Sequence, residues 1–301
     1  MIASSNISKE FSEQCWAHFR SRPKDVPNQF LFQGTLSRAP KVDMYIQEPM
    51  ENLQTLQYKD IILVIDEFYR KHIQQTVCNF AFVSGDQQTW IKLMILRQKN
   101  QNKYNWMIPI PGEWHWTWHI IKGIFRMFYD SILHPFAKVL GFKSLDKKAD
   151  NFHYAEDLLE MVTLSVFKWM EKAMENIPTG QSIVEWMHTI KDHQNAYELA
   201  YACYYYFVPY WVTRSALKWN KFEDMKDLYR WWVHLFIATN KRNYVILSLK
   251  TLWVFECLND TIKNIYDQYR VFSFSGDEGT GIAWDGLIEI VSIFANIMQI
   301  H

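Results

Sequence analysis

Asp86 stands directly after the β-prone run Thr76–Val83 and the Ser84-Gly85 pair. A carboxylate at that point lies where α/β folds put ligand-binding groups, because the strand end is rigid and opens into a crevice. Asp is also a good N-cap, and a helical pattern starts at Gln87, so capping competes with chemistry at this position. Asp285 and Glu289 are four residues apart on a helical stretch, which puts both carboxylates on one face within reach of a shared cation. Asp285 fits equally well as a first-turn carboxylate meeting its own helix dipole, a role that suits it better than Glu289. Asp43 falls in a weakly alternating segment, Lys41–Ile46, and has no meaning without partners. Glu113, His115 and His119 place two imidazoles one turn apart, but their order is not HExxH and no third ligand is evident. Lys241 and Arg242 are suited to a phosphate, whereas Lys143–Lys148 reads as a solvated surface. The Gly276–Gly281 loop has the glycines of a phosphate loop without its Lys, and no Ser or Cys sits in a nucleophile elbow.

The elements that must position these groups follow an α/β rhythm and then change character. Residues 21–50 hold Pro23, Pro27, Pro40 and Pro49 and read as loop plus strand. Leu56, Ile61, Ile62, Ile65 and Phe68 recur at helical spacing from Asn52 to Gln75. The strand ending before Asp86 is followed by a helix over Gln87–Lys99, an extended segment Met107–Ile110 bracketed by Pro109 and Pro111, and a long helix from Trp114 to Leu133. Between Phe152 and Lys250 successive helices rich in Trp, Tyr, Met and Leu form an all-helical block, with turns near Pro178-Thr179-Gly180 and Asn220. A last amphipathic helix is expected from Trp284 to Met298.

Composition narrows the class. The chain has 301 residues, 49% of them hydrophobic and 17% aromatic, enough to bury a large core. Lys and Arg (32) balance Asp and Glu (32), so any basic surface is local and no global field gathers nucleic acid or anionic membrane. The four cysteines lie far apart without a CxxC pair, as reduced intracellular thiols do. The first twenty residues lack the apolar core of a secretory signal, and the most apolar stretch, Leu199–Val212, is too short to span a bilayer. The expectation is an intracellular chain with no membrane partner.

Three stretches taken together resemble the domain-of-unknown-function 6589 family of transposon-like eukaryotic genes: Ser84-Gly85-Asp86-Gln87-Gln88-Thr89-Trp90, Pro111-Gly112-Glu113-Trp114-His115, and Ala238-Thr239-Asn240-Lys241-Arg242-Asn243-Tyr244. In that family a GDQxT segment, a GD-x-H-like segment and a late x-N-x-x-N-Y segment occur in this order, before a helix with a D-x-x-x-E-like pair. Glu113 stands where the family usually has Asp. The layout is similar to a ribonuclease-H-like transposase core, which implies an α/β, predominantly helical fold: a small mixed sheet interrupted by a large all-helical insertion. Residues 1–40 would be an N-terminal extension, 41–150 and 251–301 the α/β core, and 151–250 the insertion. The same resemblance makes Asp43, Asp86 and Glu289 catalytic metal ligands for Mg²⁺ or Mn²⁺, with DNA as partner and the nucleus, or alternatively the cytoplasm, as location. Such a centre activates water or a 3′-hydroxyl for phosphodiester displacement. The rival reading is a catalytically inactive binding module whose Trp-rich helices recognise protein or nucleic acid.

Overall fold

The computed structural model describes residues 58–74, 79–175, 182–272 and 279–286. Two short strands form its parallel pair. β1 (Ala81–Gly85) and β2 (Met107–Pro111) pair in parallel from Ala81↔Met107 to Gly85↔Pro111. The ladder extends by one bond at each end, Ala81 N–H to Trp106 O and Gly112 N–H to Gly85 O. The crossover is α2 (Gln87–Lys99) with the single turn α3 (Gln101–Tyr104), the helical return that a parallel pair requires. Pro109 and Pro111 donate no hydrogen bond, which a strand tolerates when it has one ladder to serve.

Around this unit the protein is mostly helical. α1 (Tyr58–Phe68) packs on α2 and builds a small cluster of Ile61, Ile65, Ile73, Leu93, Leu96, Tyr104, Trp106 and Met107. α4 (Glu113–Phe128) is the axis of the main core. Its Trp116, Ile120, Ile121, Ile124 and Phe125 are fully buried, while His115, Trp118, His119, Lys122 and Arg126 recur at helical spacing on its outer side. Gly123 allows Leu235 to close on the helix, since a Cβ there would lie 2.9 Å from Leu235 Cδ2. Then follow α5 (His134–Leu140), α6 (Phe152–Met174), α7 (Ile183–Thr189), α8 (Gln194–Ala202), α9 (Val208–Lys218), α10 (Phe222–Ala238), α11 (Arg242–Cys257) and α12 (Asp260–Tyr269). Asn220 and Asn240 take the left-handed conformation, φ 53° and 57°, in the tight links α9–α10 and α10–α11. One continuous core runs from Trp90 and Ile108 through these helices to Tyr266. A two-residue antiparallel pair, β3 (Val271–Phe272) with β4 (Ile282–Ala283), closes the described chain.

Two features explain how so aromatic a core stays specific. Three buried indole N–H groups reach hydroxyls on neighbouring helices: Trp116 to Ser248, Trp211 to Thr163, Trp232 to Thr213. Thr163 and Thr213 in turn donate to the carbonyls of Leu159 and Pro209, so donors and acceptors are matched in pairs. Two π turns, Tyr129–Leu133 and Cys203–Phe207, each precede a proline by two residues, Pro135 and Pro209. Proline removes an amide and crowds the carbonyl four residues back; widening that turn lets the helix continue. The expected Trp114–Leu133 and Leu199–Val212 helices are therefore present, each with a local widening. Cys203 is buried and Cys257 exposed, both as free thiols. No described helix is long and apolar enough to cross a membrane.

Candidate functional site

β1 and β2 end at the same edge, and a carboxylate follows each. Asp86 leaves β1 with φ −58° and ψ 172°, and its Oδ1 accepts the Thr89 N–H at 2.8 Å. Capping is thus the role that geometry gives it. Its second oxygen makes no hydrogen bond with a described residue. Asp86→Ala should cost about 1 kcal/mol in a urea titration, the usual effect of losing a cap.

Glu113 opens α4 after β2 and is only 4% exposed. Both its oxygens lie 2.9 Å from Arg270 Nη1, and Tyr266 Oη sits 3.5 Å from Oε1. Arg270, itself 3% exposed, also donates from Nη2 to Ala216 O at 3.0 Å. Burial pushes the Glu113 carboxyl up from the ordinary range, Arg270 pulls it back, and nearby Asp285 adds to the rise.

Asp285 arrives from the far end of the chain. Its Oδ1 accepts the Trp114 N–H at 3.0 Å, and its Oδ2 meets the His115 N–H at 2.9 Å and His115 Nδ1 at 3.0 Å. These are the orphan amides of the α4 N-terminus, whose N-cap residue, Gly112, has no side chain to offer. A Cβ on Gly112 would stand 2.3 Å from Asp285 Oδ2, so glycine is required for this approach. Two roles were open to Asp285 from sequence, a cation ligand beside Glu289 and a first-turn partner of its own helix; the structure has it accept the amides of another helix.

Tyr244 lies between these charges and the outer side of α4. Burial first, then Asp86 and Asp285, push its phenol up. It stacks on His119 with centroids 4.0 Å apart. His119 Nδ1 is 2.9 Å from Lys241 Nζ, and burial followed by Lys241, Lys122 and His115 lowers the imidazole to about 3. Neutral His119 therefore accepts from the ammonium. Lys241 falls to about 8 through burial and the adjacent Lys122 and Arg126. Arg242, the first residue of α11, is exposed.

The structure brings Asp86, Glu113, His115, Asp285 and Lys241 into one region, and gives the two histidines separate partners. Asp43 and Glu289 lie outside the described residues, so their convergence with Asp86 is not described. Among the described residues no group of three or more His, Cys, Asp and Glu side chains is placed to hold a metal ion. Arg270 and Tyr266 were missed from sequence because nothing local ties them to Glu113; a bare glycine at an N-cap was the one signal that a distant cap was needed.

Beside this region lies a cavity of about 880 Å³, whose lining includes Trp114, Trp118, Phe152, Arg214 and Lys218. No curated protein and no solved structure gives a significant match to the chain. A family model does match, over residues 38–208, which is more than half of the sequence and takes in β1, β2 and α4. The chain belongs to the family of unknown function DUF6589.

Proposed function

We propose that the chain is a nucleic-acid-binding module that engages single strands along the outer side of α4, in a protein of transposon-derived, ribonuclease-H-like ancestry. The observation that carries this reading is the cluster of Lys122, Arg126 and Lys241 on that side: Lys122 Nζ lies 4.3 Å from the Trp118 ring and 2.9 Å from Asp150 Oδ1, and burial first, then Lys122 and Arg126, depress Lys241. Asp150 answers one of the three charges, so the cluster keeps a positive excess that favours a further anion, and a cationic track beside an aromatic face is how single strands are bound without sequence preference. The Glu113 and Asp285 carboxylates, by contrast, face internal partners. DNA is the partner this ancestry favours, and the nucleus the compartment.

The measurement is fluorescence anisotropy with labelled single-stranded and duplex DNA across a salt series. Single strands should bind more tightly, with log affinity falling by roughly 0.7 per neutralised phosphate for each unit of log salt. Lys122→Gln/Arg126→Gln/Lys241→Gln should flatten that slope by about 2. Affinity should also fall as pH rises through about 8, where Lys241 loses its proton, and Lys241→Gln should abolish that step. A salt-independent signal, or an unchanged slope in the triple variant, sinks the proposal.

A second reading, metal-dependent strand cleavage by Asp43, Asp86 and Glu289, is favoured by the Asp86 oxygen that its cap leaves available at the strand edge. Carboxylate oxygens are the hard donors that Mg²⁺ or Mn²⁺ takes, and the cation would stabilise charge on the reacting phosphate. Nicking of labelled DNA in either metal should disappear in Asp86→Asn; equal rates in both proteins rule Asp86 out as a ligand.

A further inference from the structure

The cavity beside α4 shares Trp118 with the strand-binding face and adds features of its own. Its volume, about 880 Å³, lies within the roughly 300–1,000 Å³ of small-molecule sites. Part of its lining is aromatic. Trp114 lies 5.3 Å from Trp118 and 5.4 Å from Phe152, and Trp118 lies 6.4 Å from Phe152, with planes inclined by 52°, 58° and 73°. Part is cationic: Arg214 and Lys218, one turn apart on α9.

The two cations differ in their commitments. Arg214 Nε holds Glu156 Oε1 at 2.6 Å, Tyr210 donates to the same oxygen at 2.7 Å, and the guanidinium carbon stands 5.6 Å from the Phe152 ring centroid. Lys218 Nζ makes no hydrogen bond or ion pair with a described residue. Burial and Arg214 lower its pKa against the pull of Glu156 and Glu160. Among the described residues the one carboxylate lining the cavity, Asp150, is held by Lys122 Nζ at 2.9 Å. A cationic guest would meet Arg214 and Lys218, and a neutral apolar guest would desolvate Lys218 without offering its ammonium a bond. A guest with a flat apolar body and an anionic end satisfies both parts of the lining.

We propose that this cavity takes one nucleotide unit, its base against Trp114, Trp118 and Phe152 and its phosphate toward Lys218 and Arg214. The choice of a nucleotide over other anionic aromatic guests rests on the nucleic-acid reading above. A phosphorylated strand end and a free mononucleotide share this chemistry.

The test is calorimetric titration of the full chain with adenosine 5′-monophosphate, adenosine and a 5′-phosphorylated trinucleotide. The monophosphate should bind about tenfold or more tightly than the nucleoside, the effect of a charged hydrogen bond. Lys218→Gln should erase that preference and Lys218→Arg restore it; Arg214 is left intact because it holds Glu156 and Tyr210. Arg126→Gln/Lys241→Gln on the α4 face should keep the preference; Lys122 is left intact because it holds Asp150. A trinucleotide as tight as the monophosphate assigns the site to a strand end, and a weaker one to a free nucleotide. Equal binding of monophosphate and nucleoside, an unchanged preference in Lys218→Gln, or oligonucleotide binding with no monophosphate binding overturns the cavity proposal alone. Monophosphate binding without any oligonucleotide binding upholds the cavity and overturns the strand reading.

Discussion

Replacing Arg270 with Met should destabilise the protein by about 3–5 kcal/mol, the cost of leaving one member of a buried ion pair without its partner. Glu113 is 4% exposed and has Arg270 Nη1 within 2.9 Å of both oxygens, so water cannot take over that role. Removing both charges, Glu113→Gln/Arg270→Met, should recover most of the loss, because the penalty lies in the uncompensated carboxylate and not in the missing attraction. The pH dependence follows from the same group. Without Arg270 the folded-state pKa of Glu113 rises further above its ordinary value of 4.5. A raised carboxyl favours the fold below the unfolded pKa and loses that contribution as pH climbs through the folded one. The deficit of Arg270→Met should therefore shrink as pH is lowered toward 4.5. Urea midpoints at several pH values check this; a constant deficit would mean that the loss comes from packing.

Asp285→Ala should cost about 2–3 kcal/mol, since it strands the Trp114 and His115 amides beside a side chain that is now apolar and removes a negative charge from the positive end of α4. Gly112→Ala should inflict much of the same damage from the other side, by placing a methyl group where Asp285 Oδ2 lies. Because both lesions break one contact, the double variant should be clearly less destabilised than the sum of the singles. Hydrogen exchange at the two amides supplies a local readout; protection that survives Asp285→Ala would show that the cap is dispensable.

The parts of this architecture that depend on neighbours in sequence were legible. A β-prone run and an Asp N-cap give β1 and α2; the strand runs on through Ser84 and Gly85, where the sequence ended it at Val83, and the expected Gln87–Lys99 helix has those bounds in the structure. Pro109 and Pro111 marked the short extended segment that becomes β2. The dominance of helix and the small sheet were likewise expected, and the structure gives a parallel pair plus a two-residue antiparallel pair. What stayed hidden depends on distance along the chain. Glu113 and Arg270 are 157 residues apart, and Trp114 and Asp285 171 apart, so no periodicity or local motif connects them. Glu113 and Asp285 were chosen from sequence for chemistry because carboxylates attract notice; the structure gives one an internal counter-ion and the other a helix to cap. The basic pair Lys241-Arg242 was recognised, but the depression of Lys241 by burial and by Lys122 and Arg126 is a property of packed helices alone.

The widened turns before Pro135 and Pro209 also set the chain's phase. Each contains one residue more than an α-helical turn, so everything downstream is rotated by about 100° relative to an uninterrupted helix. Deleting a single residue from Cys203–Phe207 would restore the regular spiral and at the same time swing Trp211 and Thr213 away from the hydroxyl and indole they meet on α6 and α10. The proline therefore acts as a phase marker: it fixes which side of α9 faces the core.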